Sequence, residues 1–190
     1  MKLTELLVPT YRNMLRTLKG LLEKAESQLG ADRADTLLSA RLAPDMFPLA
    51  TQIRFAAVQA QEAPLRLMGK PLPASLDELL NEGRNGGERP GTMADAKARI
   101  DEALAFLDGL DADALDREAG DQPIVLDLPN GMTFELTRDQ FARDWALGQF
   151  YFHVLAAYAI LRQEGVKIGK ADYVPHMFAY LRQPSGSPPI

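Results

Sequence analysis

The sequence predicts an all-α fold, a bundle of four long helices with one small β-hairpin inserted before the last helix. Apolar residues recur at helical spacing over residues 4–29, 44–68 and 92–109. Between residues 124 and 136 the period changes to two, around an Asn130-Gly131 turn that is typical of a hairpin. Residues 141–161 are apolar on nearly every side, which favours a buried helix. The long connections between these segments imply crossovers rather than a simple up-and-down bundle.

The first two helices are predicted from their apolar stripes. The stripe of residues 4–29 consists of Leu7, Met14, Leu18, Leu21, Ala25 and Leu29, and Gly30 is a suitable stop. The second helix is expected to begin near Pro44 and to continue to about Met68. Its inner face is lean and allows another helix to approach closely, being formed by Leu49, Ile53, Ala56, Ala57 and Ala60. Gln52 lies on or beside that face, where a semi-buried amide ordinarily bonds to a neighbouring helix.

The middle of the chain is predicted to be loop, then helix. Residues 69–91 read as a loop with a short helical piece at residues 75–80, followed by a mobile stretch rich in glycine and charge. The third helix opens with Thr92 and Asp95 in capping-box spacing and ends near Gly109. The hairpin follows, and because two strands are marginal alone, its apolar face is expected to lie against the helices.

The last helix, residues 137–165, is the segment around which the fold is expected to assemble. Thr137 and Gln140 form a second capping box at its start. His153 interrupts its apolar run, and Gln149 lies one turn earlier on the same face. After it, Tyr173, Met177, Phe178 and Leu181 are expected to dock onto the bundle. We therefore predict one domain over residues 1–183 and a disordered tail over residues 184–190.

Composition excludes several classes of function. The net charge is −5 and the arginines are scattered among acids, so no nucleic-acid partner is expected. No apolar run approaches the roughly 18 residues that cross a bilayer, so no membrane partner is expected either. The chain has no cysteine, which excludes disulfides and thiolate sites and fits a cytoplasmic protein. With only two histidines, histidine-based chemistry has few positions available.

Three stretches together resemble a known superfamily. They are RLAPDMFPLATQ in the second helix, FYFHVLAAYAILRQEGV in the last helix, and IGKADY just after it. In these the chain is similar to the DinB/YfiT-like superfamily of four-helix bundles, and specifically to a bacterial branch that is a domain of unknown function. With the helix lengths, the similarity covers residues 3–180. It implies a DinB-like bundle.

The resemblance also implies a site for a divalent metal, often nickel or zinc, held by three histidines. Leu161, Arg162 and Gly165 stand at the superfamily's distances from His153, so His153 matches the final ligand. The other two ligand positions fall on Gln149 and Gln52. An amide oxygen is a weak and hard donor compared with imidazole, so this set is poor for nickel or zinc. The sequence thus favours a degenerate metal site and no cofactor.

Three functions follow from the resemblance and these residues. The first is a small-molecule pocket without metal, lined by Gln52, Gln149, His153, Trp145, Tyr151 and Phe152. The second is the metal-dependent transferase or hydrolase that the superfamily implies, with His153 as a metal ligand. The third is a homodimeric interaction protein, since superfamily members often dimerise and the last helix has little polar surface. The plainest alternative is a buried polar cluster in which Gln52, Gln149 and His153 bond to one another or to a water. No catalytic residue is assigned.

Overall fold

A computed structural model describes residues 2–117, 123–128 and 130–182. In chain order its helices and strands are α1 (Leu3–Leu29), α2 (Ala31–Thr36), α3 (Leu49–Leu67), α4 (Ala74–Arg84), α5 (Met93–Asp108), β1 (Ile124–Asp127), β2 (Thr133–Leu136), α6 (Arg138–Gln140), α7 (Leu147–Gln163) and α8 (Lys170–Tyr173). A π-helical segment, Phe141–Ala146, joins α6 to α7, and short 3-10 helices occupy Leu37–Ser39 and Pro175–Tyr180. The predicted helical bundle with a hairpin before its last long helix is confirmed.

The third helix in chain order lies at the centre of the bundle. It packs against α7, α4 and α5, while α1 packs against α5 and α7. Its small residues Ala50, Ala56, Ala57 and Ala60 are fully buried, which lets the neighbouring helices approach closely. This arrangement brings the inner face of α3, which carries Gln52, directly against α7, which carries His153.

Helix α3 begins later than the sequence suggested. Pro48 is its N-cap and the first helical residue is Leu49, whereas the helix was expected to start near Pro44. Because proline disfavours the α conformation in the residue before it, Phe47 cannot continue a helix into Pro48. Residues 43–46 form a turn instead, closed by the bond from the Met46 amide to the Ala43 carbonyl at 3.0 Å. The turn leaves Phe47 at the surface, beside the N-terminus of α3.

The segment between α3 and α5 is more ordered than a loop. Helix α4 has 11 residues, longer than the predicted piece at residues 75–80, and its buried side is formed by Leu76, Leu79 and, in the added last turn, Gly83. The end of α4 and the segment after it are both bonded to α3. Thr51 donates its hydroxyl to the Gly83 carbonyl at 2.7 Å, and the Arg54 guanidinium donates to the Pro90 carbonyl at 2.9 Å.

The local signals at the helix starts and in the hairpin were predicted correctly. Both capping boxes are present, at the starts of α5 and α6. Strands β1 and β2 pair antiparallel, with Ile124 opposite Leu136. Among the described residues of the hairpin, Leu126 alone is buried, Ile124 and Leu136 are partly buried against the core, and Val125, Met132 and Phe134 are exposed. Pro129, in the predicted turn, lies outside the described residues.

The last long helix is buried on one side only. Phe150, Val154, Ala157 and Ile160 are completely buried. Tyr151, Phe152 and Leu155 are 39 %, 55 % and 53 % exposed, so the expectation of burial on nearly every side does not hold for the single chain. An apolar face of α7 is therefore open to solvent.

The segment after α7 docks through Tyr173, whose ring lies 5.3 Å from that of Tyr158. Met177, Phe178 and Leu181 were expected to dock as well, but all three are mostly exposed. The predicted disordered tail, residues 184–190, lies outside the described residues. Among the helices that the structure describes, none is both long enough and apolar enough to cross a membrane.

Candidate functional site

The structure joins two of the predicted site residues directly. Nδ1 of His153, on α7, lies 2.8 Å from Oε1 of Gln52, on α3. Gln52 also donates from Nε2 to the Phe47 carbonyl at 3.2 Å. Gln52 is 1 % exposed and His153 is 8 % exposed, so the pair sits in the wall of the bundle rather than on its surface.

These two bonds determine the protonation state of the imidazole. A backbone carbonyl can only accept, so the Gln52 NH2 group must face Phe47 and the Gln52 oxygen must face His153. An amide oxygen can only accept in turn, which makes Nδ1 the protonated nitrogen of the neutral ring. Burial lowers the pKa of His153 from 6.5 to about 4 by penalising the charged form. The ring is therefore neutral near pH 7, with a lone pair on Nε2.

That lone pair is available to a partner from outside the chain. Nε2 makes no hydrogen bond with any of the described residues. Some unpaired polar atoms of these residues are sealed off from solvent, but Nε2 is not among them. It therefore keeps contact with solvent at the small exposed part of the residue. A neutral imidazole nitrogen in this state can accept a hydrogen bond or act as a single metal ligand.

Aromatic rings surround the imidazole. The ring centroids of Phe55 and Phe152 each lie 5.3 Å from that of His153, both in edge-to-face geometry. Phe47 continues the group, with its ring 5.5 Å from that of Phe55. Phe152 and Phe47 are 55 % and 49 % exposed, so the apolar surround of His153 opens to solvent. Neither Phe47 nor Phe55 was predicted as a site residue, because nothing local in the sequence places them beside His153.

The remaining predicted site residues lie in other contacts. Gln149 is half-buried and makes no hydrogen bond to Gln52 or His153. Of the three residues expected to bond to one another, only Gln52 and His153 do so. Trp145 belongs to the π-helical segment and packs near Phe134 of the hairpin, at 5.9 Å between centroids. Tyr151 packs against Phe150, also at 5.9 Å, and burial raises the pKa of its hydroxyl. Of the six residues, the structure brings Gln52, His153 and Phe152 together.

The donor set does not fit the metal that the resemblance implies. The Gln52 oxygen already accepts a hydrogen bond from Nδ1–H. It therefore orients the His153 ring rather than acting as a metal ligand. Catalytic zinc sites generally have three good protein ligands. Within the described parts of the chain, no cluster of three or more His, Cys, Asp or Glu side chains could hold a metal ion.

The comparisons with known proteins identify the family. The model of a domain of unknown function (DUF1993) matches residues 3–174. The chain belongs to the DUF1993 family. A crystal structure of a DinB family member protein from Shewanella denitrificans is 30 % identical to this chain, with a TM-score of 0.71. That match covers 98 % of this chain and 96 % of the other.

The two findings agree with each other and with the resemblance seen in the sequence. The DUF1993 match covers nearly the whole chain, and the structural match connects this DUF1993 protein to the DinB bundles, as predicted. The comparison with curated proteins gave no match.

Proposed function

We propose that this protein binds a small molecule at the open edge of the His153 ring. The observation that supports the proposal is the orientation of His153 by Gln52. Gln52 Oε1 accepts a hydrogen bond from the protonated Nδ1. The unprotonated Nε2 is therefore left to accept a hydrogen bond from a hydroxyl or N–H group of the ligand. Binding sites commonly combine apolar walls with a few placed polar groups, and here one acceptor lies among aromatic rings.

The aromatic residues around His153 favour a small, neutral aromatic ligand that donates a hydrogen bond, such as an aromatic alcohol. Phe47 and Phe152 are each about half exposed and can pack against the ligand's ring. The depressed pKa of His153 keeps the imidazole uncharged near pH 7, which makes it an acceptor. Because Gln52 supports the ring from behind, the acceptor is held in one direction before the ligand arrives.

Phenol and anisole test this proposal as a matched pair. Titrated into protein with 15N-labelled histidine, phenol should shift the His153 Nε2 resonance and saturate, because its O–H donates to that nitrogen. Anisole has the same ring without the donor and should shift it far less. Phe152→Ala should weaken phenol binding, whereas Leu155→Ala, about equally exposed on α7 but two positions after His153 and so not on the same face of the helix, should leave it unchanged. Equal responses to both compounds, or equal effects of both substitutions, would rule the proposal out.

A second candidate function is self-association through α7. Gly148, Tyr151, Phe152 and Leu155 follow one another at helical spacing, and all four are exposed. Contiguous exposed apolar surface of this kind marks interaction sites, and a second copy of the chain offers the same face. Sedimentation equilibrium should show a dimer that Leu155→Glu disrupts and that Gln163→Glu, a polar change on the same helix, does not. A monomer at every accessible concentration would exclude it.

A further inference from the structure

A cavity of about 290 Å³ lies beside the N-terminus of α3 and shares Phe47 with the His153 site. Its walls come from two segments that are distant in the chain. Arg41 and Phe47 approach from the segment before α3, and Arg84, Asn85 and Gly87 approach from the end of α4 and the turn that follows. Its volume is near the lower end of the range for ligand pockets, so it suits a small molecule.

The Arg41 guanidinium is held in place across this cavity. One of its nitrogens, Nη1, donates to the Met46 carbonyl at 2.7 Å. The other, Nη2, lies so close to Gly87 that a Cβ on that residue would meet it at 2.6 Å. The glycine therefore allows the guanidinium to lie against the turn, where Nη2 donates to none of the residues that the structure describes.

The cavity carries positive charge that described carboxylates do not neutralise. Neither Arg41 nor Arg84 forms an ion pair with a described carboxylate. Glu88 is the one acid in the cavity wall, against the two guanidinium groups. In a chain with a net charge of −5, this is a local excess of positive charge.

A second cavity shows what a neutralised arginine cluster looks like in this protein. It has a volume of about 460 Å³ and is lined by Arg54, Arg89 and Arg99 together with Glu82 and Asp95. Glu82 pairs with Arg99, and its carboxylate lies 3.7 Å from Arg54. That cavity already contains its own carboxylates, whereas the Arg41 cavity lacks this pairing.

Backbone and side-chain donors add to the two arginines. The amide of Gly86 donates to the Gly83 carbonyl at the end of α4, and the amides of Glu88 and Arg89 both donate to the Asn85 carbonyl. The amide of Gly87 has no partner among the described residues, and Gly87 lines the cavity. Carboxylates bind guanidinium groups through paired, charge-assisted hydrogen bonds, and a free amide adds a further donor.

We infer that this cavity binds the carboxylate of a small aromatic acid. The carboxylate is taken by Arg41, Arg84 and the Gly87 amide, and the ring packs against Phe47. Glu88 disfavours a second negative charge on the ligand. The inference rests on the proposed function in one respect: because Phe47 borders both sites, the apolar part of the acid extends toward His153.

The probe is 1-naphthoate, with 1-naphthalenemethanol as its neutral counterpart, in calorimetric titrations of the full chain at low ionic strength. Wild type should bind the acid about tenfold or more tightly than the alcohol, the scale of a charge-assisted hydrogen bond. Arg41→Gln and Arg84→Gln should each remove most of that preference. Arg33→Gln, the same change at an exposed residue away from the cavity, should leave it intact.

Two further comparisons keep the result interpretable. Arg41 supports the turn before α3, so its variant is checked by melting temperature, and Arg84, which is exposed, gives a second variant that does not depend on that support. Equal affinities for acid and alcohol, equal losses in Arg33→Gln and Arg41→Gln, or no saturable binding of the acid would each overturn the inference. Failure of the phenol titration would overturn the proposed function at His153 and leave the preference for the acid standing.

Discussion

His153 Nδ1 donates to Gln52 Oε1 at 2.8 Å across the contact between α7 and α3. The bond gives a hydrogen-bond partner to one polar group on each of two buried helix faces. The NH2 group of Gln52 in turn donates to the Phe47 carbonyl. A chain of three groups thus fixes which nitrogen of the imidazole is protonated. The proposed binding role of His153 depends on this orientation.

The buried His153 should make the protein sensitive to acid. Its pKa is about 4 in the folded protein and near 6.5 in the unfolded chain, so the unfolded state binds the extra proton first as pH falls. The free energy of unfolding should fall between pH 6.5 and pH 4, by at most roughly 3 kcal/mol, and the contribution should level off below pH 4. Denaturant unfolding of wild type and His153→Gln over that range measures the difference.

The control for this prediction is the second histidine. His176 lies in the 3-10 helix Pro175–Tyr180, which packs against α1. His176→Gln should therefore keep the acid sensitivity of wild type. Overlapping pH profiles for wild type and His153→Gln would show that His153 is not a buried neutral group.

Replacing Gln52 with an acid should reverse the shift at His153. In Gln52→Glu a carboxylate faces Nδ1 and favours the charged imidazolium, so the pKa of His153 should rise from about 4 to above its ordinary value. An NMR titration of the His153 ring protons measures it. Gln59→Glu adds the same charge two turns further along α3 and should change the pKa of His153 little. An unchanged pKa in Gln52→Glu would mean that the two side chains are not in contact in solution.

Metal binding should need more ligands than this chain provides. Protein purified without a histidine tag should contain nickel or zinc at well below one equivalent, and neither ion should raise its melting temperature, because Gln52 Oε1 is already bonded. The double variant Gln52→His, Gln149→His restores the three histidines that the resemblance implies and should gain a metal-dependent rise. One equivalent of tightly bound metal in wild type that is lost in His153→Gln would contradict this account.

The turn that forms the Arg41 cavity should tolerate little change at Gly86. A Cβ there would lie 2.7 Å from the Thr51 hydroxyl and 3.1 Å from two backbone atoms, which cannot move away cheaply. Gly86→Ala should therefore destabilise the protein, by about 1–3 kcal/mol. Gly20→Ala, where nothing lies within 4 Å in the middle of α1, should stabilise it by about 0.5–1 kcal/mol. Equal unfolding midpoints for the two variants would show that the turn is not packed on α3 as described.

The features that could be predicted from sequence are those set by neighbouring residues. Capping boxes depend on two residues three positions apart, so Thr92 with Asp95 and Thr137 with Gln140 were identified correctly. Hairpin alternation is local in the same way. The pairing of Gln52 with His153 was only anticipated as one alternative, because it joins residues 101 positions apart.

Where the structure differs from the expectations, the reasons are features that the spacing of apolar residues in the sequence does not reveal. Trp145 was expected to line a pocket with His153, whereas it belongs to the π-helical segment of residues 141–146, in which each bond spans five residues, and its ring packs near Phe134. The start of α3 was placed too early because Pro48, rather than Pro44, interrupts the helix. Phe47, Phe55 and Arg41 could not be assigned to a site at all, since only the packing of α3 against α4 and α7 brings their neighbours together.

The tautomer of His153 shows directly whether Gln52 orients the imidazole ring. A two-bond 15N–1H correlation spectrum of the histidine rings at pH 7, with His153→Gln used for assignment, reports the protonation of each ring nitrogen. We predict a protonated Nδ1 and an unprotonated Nε2 for His153, because Gln52 Oε1 can only accept. A protonated Nε2, whether in the other neutral tautomer or in the imidazolium, would show that Gln52 does not hold His153 as a hydrogen-bond acceptor.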